Sequence, residues 1–374
     1  MAFAIFLMFC MITDYSHLFL LLRAGLGQSM ANLELLSAEE WGLLYKQASK
    51  QSLIGILYEA INRLPKGNRP PVPVLMRLAY EAEAVKGMNL LQNKEAARLT
   101  SLFVAEGVRT AVLKGQANSR LYPDPLIRQP GDIDLWVEGG RENVLALLKK
   151  MHFPVGPCSR HHVHLPKDAN GVTVEIHYRA SSGSRNPFAN RRLQAYLNSE
   201  LKNLELVPEG FYVPSFRFAL VMQLSHIYQH LFGGGIGLRQ LVDYYVLLQN
   251  ASSEDREYVA RQLRRLGLSY IAAAVMWVLQ EVLALGHEQM LCEPDAYRGK
   301  WLLKVILSGG NFGFYDSRYN KGILRRWVKD RIRAVRFIPF DPVEVIWGEF
   351  RYWKATISLI PKRMRVGKLA LGGR

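Results

Sequence analysis

The chain is poor in residues that staple or anchor a fold. It has three cysteines in 374 residues, Cys10, Cys158 and Cys292. They are odd in number and far apart, and no two are spaced C-x-x-C. Neither a disulfide framework nor a zinc ribbon is supported, and a reducing compartment is expected. Long apolar runs are also lacking. Residues 2–12 form a run of 11, short of the roughly 20 a membrane-spanning helix needs. No Lys or Arg precedes Arg23, and Thr13-Asp14-Tyr15 offers no small-x-small cleavage site, so no signal peptide is read there. The run is expected to be translated sequence upstream of a true start at Met8 or Met11, and the protein to be cytoplasmic. No internal repeat, low-complexity tract or local Ser-His-Asp or Cys-His arrangement occurs.

Acidic charge is the third shortage. Asp and Glu number 32 against 48 Lys and Arg, a net charge of +16. Residues 318–374 hold fifteen basic and four acidic residues. Trp327, Phe337, Phe340, Trp347, Phe350 and Trp353 are interleaved with them. Two readings follow: a helical cap with a solvated basic face, or a peripheral contact with an anionic membrane or acidic polymer. No stable nucleic-acid partner is expected.

What remains is ordinary globular composition, 49% hydrophobic and 21% charged, in a chain long enough for two cores. Residues 1–107 read as a helical segment, with Ser37-Ala-Glu-Glu40 as a capping box and a long helix over 75–107. Residues 108–185 read as a small α/β unit. It has strands at Thr110–Leu113, Ile133–Val137, His161–Leu165 and Val172–His177, the last two joined by an Asp168-Ala-Asn-Gly171 turn, and a helix over 142–150. Residues 186–317 are a helical half, with helices near 216–232, 237–250, 254–266 and 269–286, before the basic segment 318–374. The fold class is therefore α+β, a small mixed-sheet unit between helical segments.

Gly131-Asp132-Ile133-Asp134-Leu135 carries the strongest chemical signal. Residues two apart on a strand share a face, so Asp132 and Asp134 set two carboxylates side by side. Their repulsion invites a cation, and hard oxygen ligands suit Mg²⁺ or Mn²⁺. Neutralising either Asp is expected to leave the fold intact, because surplus like charge is relieved. Upstream, Leu113-Lys114-Gly115-Gln116 is a strand ending in glycine and opening a helix, an arrangement that favours phosphate. Downstream, Glu175 and His177 share one face of a strand whose other face is Val174 and Ile176. Three carboxylates in this order outline a two-metal phosphoryl-transfer site.

The block from Leu113 to Leu135 resembles the uncharacterised nucleotidyltransferase family, of the DNA polymerase β-like superfamily. Val174-Glu-Ile-His177, His226-Ile-Tyr-Gln-His230, Gly235-Ile-Gly-Leu-Arg239-Gln-Leu-Val-Asp243 and Gly309-Gly-Asn-Phe-Gly313 resemble its later motifs, over about 30–340. The resemblance implies that Asp132, Asp134 and Glu175 hold Mg²⁺ or Mn²⁺ and are catalytic. It also implies that Gly115 and the helix start at Gln116 cradle an NTP, with Lys114 and Arg128 neutralising phosphate. Two departures stand out: Gln116 replaces the usual small residue after the glycine, and the gap from Gly115 to Asp132 is long.

His226 and His230 have zinc-ligand spacing but no intervening Glu, and are read as structural or substrate-lining. Arg239 and Asp243 are read as an i,i+4 helix pair, with Arg239 a further substrate-lining candidate. His177 is placed to orient Glu175 or touch substrate. His161, His162 and His164 cannot all share one face of a strand and are read as hairpin surface or as surroundings of the site. The expected function is metal-dependent transfer of an NMP from an NTP to an unknown acceptor hydroxyl. The alternatives are a D-x-D glycosyltransferase using a nucleotide-sugar, and a non-catalytic scaffold of polysaccharide assembly.

Overall fold

The computed structural model describes residues 14–29, 33–167, 170–233, 235–311 and 323–365. The apolar run 2–12, the turn residues Asp168 and Ala169, and Phe312-Gly313 lie outside the described residues. Among the described residues, three helices come first: α1 (Ser16–Gly25), α2 (Ala38–Gln51) and α3 (Ile54–Asn62). The capping box expected at Ser37 starts α2. Ser37 Oγ accepts from the Glu40 amide at 3.3 Å, and the Glu40 carboxylate accepts from the Ser37 amide at 2.7 Å. Helix α4 (Val72–Ala105) runs 34 residues, about 50 Å at 1.5 Å per residue. Leu78, Ala82, Val85, Asn89, Gln92, Ala96, Leu99 and Phe103 form its buried stripe at heptad spacing. Its one polar interruption, Asn89 and Gln92, matters below.

The small sheet follows, as strands β1 (Thr110–Val112), β2 (Ile133–Val137), β3 (His162–Leu165) and β4 (Val174–His177), with the single-turn helix α5 (Gln116–Ser119) and α6 (Gly140–Lys150) between them. Strand order is β1-β2-β4-β3, with β2 and β4 parallel and both outer pairings antiparallel. Alternation separates the two faces. Ile133, Leu135, Val137, Val163, Leu165, Val174 and Ile176 bury against Leu99, Phe103, Val144 and Leu148. The opposite face carries Asp134, Glu175, His177, His162 and His164. Register pairs Asp134 with Glu175, Glu175 with His164, and His177 with His162.

Between the sheet and the helical half lie α7 (Pro187–Glu200), capped by Asn186, and a hairpin of β5 (Leu204–Leu206) and β6 (Tyr212–Pro214). The sequence pattern did not show this hairpin, because strands of three residues are too short to display alternation. Its Val207, Phe211 and Val213 bury in the core of the sheet, not in that of the helical half. Helices α8 (Phe216–Phe232), α9 (Leu238–Asn250), α10 (Ser253–Leu266), α11 (Ser269–Leu283) and α12 (Ala296–Gly309) then build the larger core together with α1–α3.

The basic segment forms α13 (Ile323–Arg336) and α14 (Pro342–Arg365). Phe337 and Phe340 between them are buried, Phe337 with its ring 4.3 Å from Trp301 and 4.7 Å from Phe232. Glu344 accepts from Ser184 Oγ and the amides of Arg185 and Asn186, while Tyr228 donates its hydroxyl proton to Asp341. The inner side of this pair is thus a packed cap. Among the described residues, no helix is long and apolar enough to cross a membrane.

The loop that delivers Asp132 and Asp134 to the sheet is held from both sides. From α4, Asn89 Nδ2 donates to the carbonyls of Leu126 and Arg128, each at 2.8 Å, and Gln92 donates to Gly131 O. From α9, Asp243 accepts a bidentate pair from Arg128, at 2.7 and 2.9 Å, and the Tyr122 hydroxyl at 2.8 Å. Arg239 Nη1 donates to Gln129 O at 3.0 Å. Asp243 therefore anchors the loop through Arg128, where a pair with Arg239 along the helix was expected. Removing one partner of a buried pair strands the other charge. Arg128→Ala is expected to lower unfolding stability by about 3–5 kcal/mol, read by chemical denaturation; a loss below about 1 kcal/mol, the range of exposed pairs, would contradict this anchoring role.

Candidate active site

The site assembles where β1 and β2 leave the sheet beside α8. The Leu113 amide donates to Asp134 O at 2.9 Å, extending the β1–β2 ladder by one bond. Lys114 follows, its Nζ 2.6 Å from Asp134 Oδ2. The chain then turns sharply through Gly115 at φ 65°, ψ −104°, a conformation that favours glycine. On the other side of Asp134, His177 Nε2 lies 3.0 Å from Oδ1 and also 3.2 Å from Glu175 Oε2. Asp134 and Glu175 thus touch the same imidazole nitrogen. Asp132, just ahead of β2, is exposed and accepts from Thr173 Oγ1 at 2.6 Å.

Electrostatics follow from this arrangement. Burial would raise the Asp134 carboxyl, but Lys114 and His177 outweigh it and hold the group well below the usual carboxylate range. Burial likewise works against ionised Glu175, and the His177 hydrogen bond reverses it, so this carboxyl too is lowered. Burial lowers the His177 imidazole, yet its hydrogen bonds to Asp134 and Glu175 leave it raised. His226 and His230 go the other way. Burial, His230 and Lys114 push His226 well down, and burial with Lys114 brings His230 to about 4. Both are neutral hydrogen-bonding groups near neutral pH.

These groups face one cavity of about 510 Å³. Lys114, Asp132, Asp134, Glu175 and His177 line one wall, with His161 and His162; Ser181, Ser182, His226, Gln229 and His230 line the other. A second cleft, of about 520 Å³, opens on the far side of Asp132 along α4, lined by Tyr80, Glu81, Met88 and Gln92. Only the first holds opposed charges on a sheet face, so the chemistry is assigned there.

Several expectations need correction. Arg128 does not face the cavity: its guanidinium is spent on Asp243, 4% of the residue is exposed, and it is structural. Gln116 is also turned away, donating to Asn93 Oδ1 at 2.7 Å and to Asn89 O at 3.3 Å. Helix α5 is a single buried turn of four residues, and Gly115 makes the bend between Lys114 and that turn. Asp134 already has two partners, Lys114 Nζ at 2.6 Å from Oδ2 and His177 Nε2 at 3.0 Å from Oδ1, so neutralising it would cost both contacts. Arg239 sits behind the loop, its guanidinium lowered to about 10 by burial and by Arg128.

A family model for uncharacterised nucleotidyltransferases matches residues 37–284, well over half of the chain. The chain belongs to that family. No curated protein matches it. Among solved structures, an antigenic nucleotidyltransferase-like protein from Paracoccidioides brasiliensis is similar at 14% identity, over 55% of this chain and 94% of that one. The TM-score is 0.36, and nothing further is drawn from that likeness.

The cavity residues that sequence reasoning left out are Ser181, Ser182 and Gln229; His162, read as hairpin surface or surroundings of the site, lines the cavity with them. Ser182 donates to the Gln229 side chain, which donates in turn to Gly183 O, so this wall is braced by hydrogen bonds. His162 was readable: counting back from the turn at 168–171 sets it opposite His177. The Ser181–Gln229 wall had no signal, since it forms only when α8 packs over the end of β4.

Proposed function

We propose that the chain transfers a nucleoside monophosphate from an NTP to an acceptor hydroxyl. The observation that carries this reading is the buried Asp134, in register with Glu175 and balanced by Lys114 and His177, at the wall of a polar cavity with Asp132 at its rim. Asp134 and Glu175 share one sheet face, and Asp132 lies two residues ahead of Asp134, just before β2. The three carboxylates are not drawn together in advance, since among the described residues the donor atoms within 4.8 Å of one another are those of His162, Glu175 and His177. Asp132, Asp134 and Glu175 would have to close on a divalent cation to hold it. When bound, it supplies charge neutralisation of the triphosphate and acidifies the acceptor hydroxyl.

The chain's own residues divide the remaining work. Lys114 places a positive charge beside Asp134 for the phosphate tail, and Ser181 and Ser182 offer hydroxyl donors on the facing wall. His226 and His230, kept neutral by burial, line the pocket without adding charge. Glu175 stays ionised and is able to receive the proton as the acceptor oxygen bonds to the α-phosphorus, the bond to the β-phosphate breaks and pyrophosphate leaves. The cleft along α4 gives the acceptor a second approach to Asp132.

The test is pyrophosphate release from ATP, CTP, GTP and UTP with Mg²⁺ or Mn²⁺, beside a panel of nucleotide-sugars. At least one NTP is expected to turn over. Glu175→Gln and Asp132→Asn are each expected to lower the rate by on the order of a hundredfold or more, the scale of a lost acid–base or charge-stabilising group. Sugar transfer without pyrophosphate release, or undiminished turnover in the Asp132→Asn/Glu175→Gln double variant, would overturn the proposal.

We also propose that α13 and α14 rest on an anionic membrane surface. Val343, Ile346, Phe350, Trp353 and Ile357 form an exposed apolar stripe at heptad spacing along α14, and Trp327, Val328, Ile332 and Val335 are exposed on α13. Trp327 and Trp353 meet at 6.4 Å, joining the two stripes. Three of the four acidic residues of this segment are used up: Asp341 and Glu344 point inward, and Glu349 pairs with Arg331 at 2.6 Å. The outer side is therefore apolar and basic, with Arg336 and Lys354 exposed. A second copy would bring like charge to like charge, whereas acidic lipid complements it. Co-sedimentation with phosphatidylserine-containing vesicles is expected, and each of Arg336→Gln and Lys354→Gln should weaken it by about 1 kcal/mol, or about fivefold. Ile346→Ser/Phe350→Ser should abolish it. Equal binding to neutral and anionic vesicles, or no binding to either, would contradict this reading.

A further inference from the structure

We infer that His162, Glu175 and His177 form a seat for a divalent transition-metal ion, one that Mg²⁺ fills poorly. The inference places an ion at a seat that shares only Glu175 with the three carboxylates, and rests on the transfer reading only for the ion's use. Their donor atoms all lie within 4.8 Å of one another, and among the described residues no other trio of His, Cys, Asp and Glu side chains lies so close. Glu175 Oε2 is 3.3 Å from His162 Nδ1 and 3.2 Å from His177 Nε2. With bonds of about 2.0–2.2 Å, donors around one ion sit about 3–4 Å apart. The strand register alone produces this closeness, since β3 and β4 pair His162 with His177 beside Glu175.

Two further observations point to a ligand. His162 Nδ1 is buried and makes no hydrogen bond, although a carboxylate oxygen lies 3.3 Å away. A buried ring nitrogen facing a carboxylate in poor hydrogen-bond geometry is satisfied when a cation sits between them. The second nitrogen of each ring has a partner of its own, a backbone carbonyl for His177 as is usual for metal-bound histidine and a neighbouring imidazole for His162. His177 Nδ1 lies 3.4 Å from Arg179 O, and His162 Nε2 lies 3.1 Å from His164 Nε2. A three-residue donor set also leaves open positions toward the cavity that Lys114 and Ser182 line.

The donor types select the ion. Mg²⁺ prefers oxygen and gives up its water reluctantly, whereas two imidazoles with one carboxylate suit first-row ions such as Mn²⁺, Co²⁺ and Zn²⁺. Ligation through His177 Nε2 requires that nitrogen to give up the proton it shares with Asp134, 3.0 Å away, and Glu175, so metal uptake releases a proton and leaves Asp134 to Lys114.

The experiment is a Co²⁺ titration of the metal-stripped full chain, followed by visible absorption, with Zn²⁺ and excess Mg²⁺ as competitors. One equivalent of Co²⁺ is expected, displaced by Zn²⁺ and not by Mg²⁺. His162→Ala should weaken binding by more than about a hundredfold, and His164→Ala, which touches the seat only through His162 and Glu175, by about tenfold. Pulsed electron paramagnetic resonance of the Mn²⁺-loaded wild type needs no variant and should show coupling to imidazole nitrogen. Absence of Co²⁺ uptake, ready displacement by Mg²⁺, no nitrogen coupling, or a folded His162→Ala that binds like wild type would overturn the seat. Metal binding with these features but no NTP turnover would instead count against the transfer reading alone. Turnover on Mg²⁺ without Co²⁺ uptake would sink the seat and spare the transfer.

Discussion

A buried bidentate pair between Arg128 and Asp243 fixes where the small sheet stands against the helical half. The eleven residues from Tyr122 to Asp132 have no regular structure of their own, so they need outside partners for their backbone groups. Asn89 and Gln92 of α4 supply one set, and Arg239 and Asp243 of α9 the other. Because β2 begins directly after this loop, the positions of Asp132 and Asp134 are inherited from it. The Arg239–Asp243 motif of the helical half thus acts at the site through the loop it holds.

Asp134 is the second constraint. A carboxylate 2% exposed is costly to keep ionised, and the fold offsets that cost with Lys114 from the end of β1 and His177 from β4. Both partners come from strands that flank β2, so assembling the sheet also assembles the charge balance. The same packing keeps His226 and His230 neutral across the cavity, while Lys114 stands beside Asp134 at 2.6 Å. A site built this way separates its structural charges, behind the loop, from those that face the cavity.

Much of this was legible in the residues. Alternation in Ile133–Val137 and Val174–His177 gave the apolar and polar faces, and the Ser37 box and the helices from Phe216 onward followed from caps and 3.6-residue spacing. Asp134 and Glu175 on one face could be read, but their shared contact with His177 could not. Arg128 and Gln116, which the family resemblance implied at the phosphate, turn instead to Asp243 and Asn93, partners on helices that spacing around the glycine turn does not reveal. The three-residue strands β5 and β6 lacked the length to show a period. The basic segment was read as either a cap or a binding surface, yet Phe337 and Glu344 bury its inner side while Phe350 and Trp353 stay outside.

The central claim is that the face of Asp134 and Glu175 binds metal and triphosphate together. A crystal structure of the full chain with Mn²⁺ and a non-hydrolysable NTP analogue tests it directly. The account predicts anomalous manganese density in contact with Asp134 or Glu175, and the phosphate tail beside Lys114 in the cavity walled by Ser181, Ser182 and His226. Nucleotide bound in the cleft along α4 or elsewhere, with no manganese at Asp134 or Glu175, would contradict it.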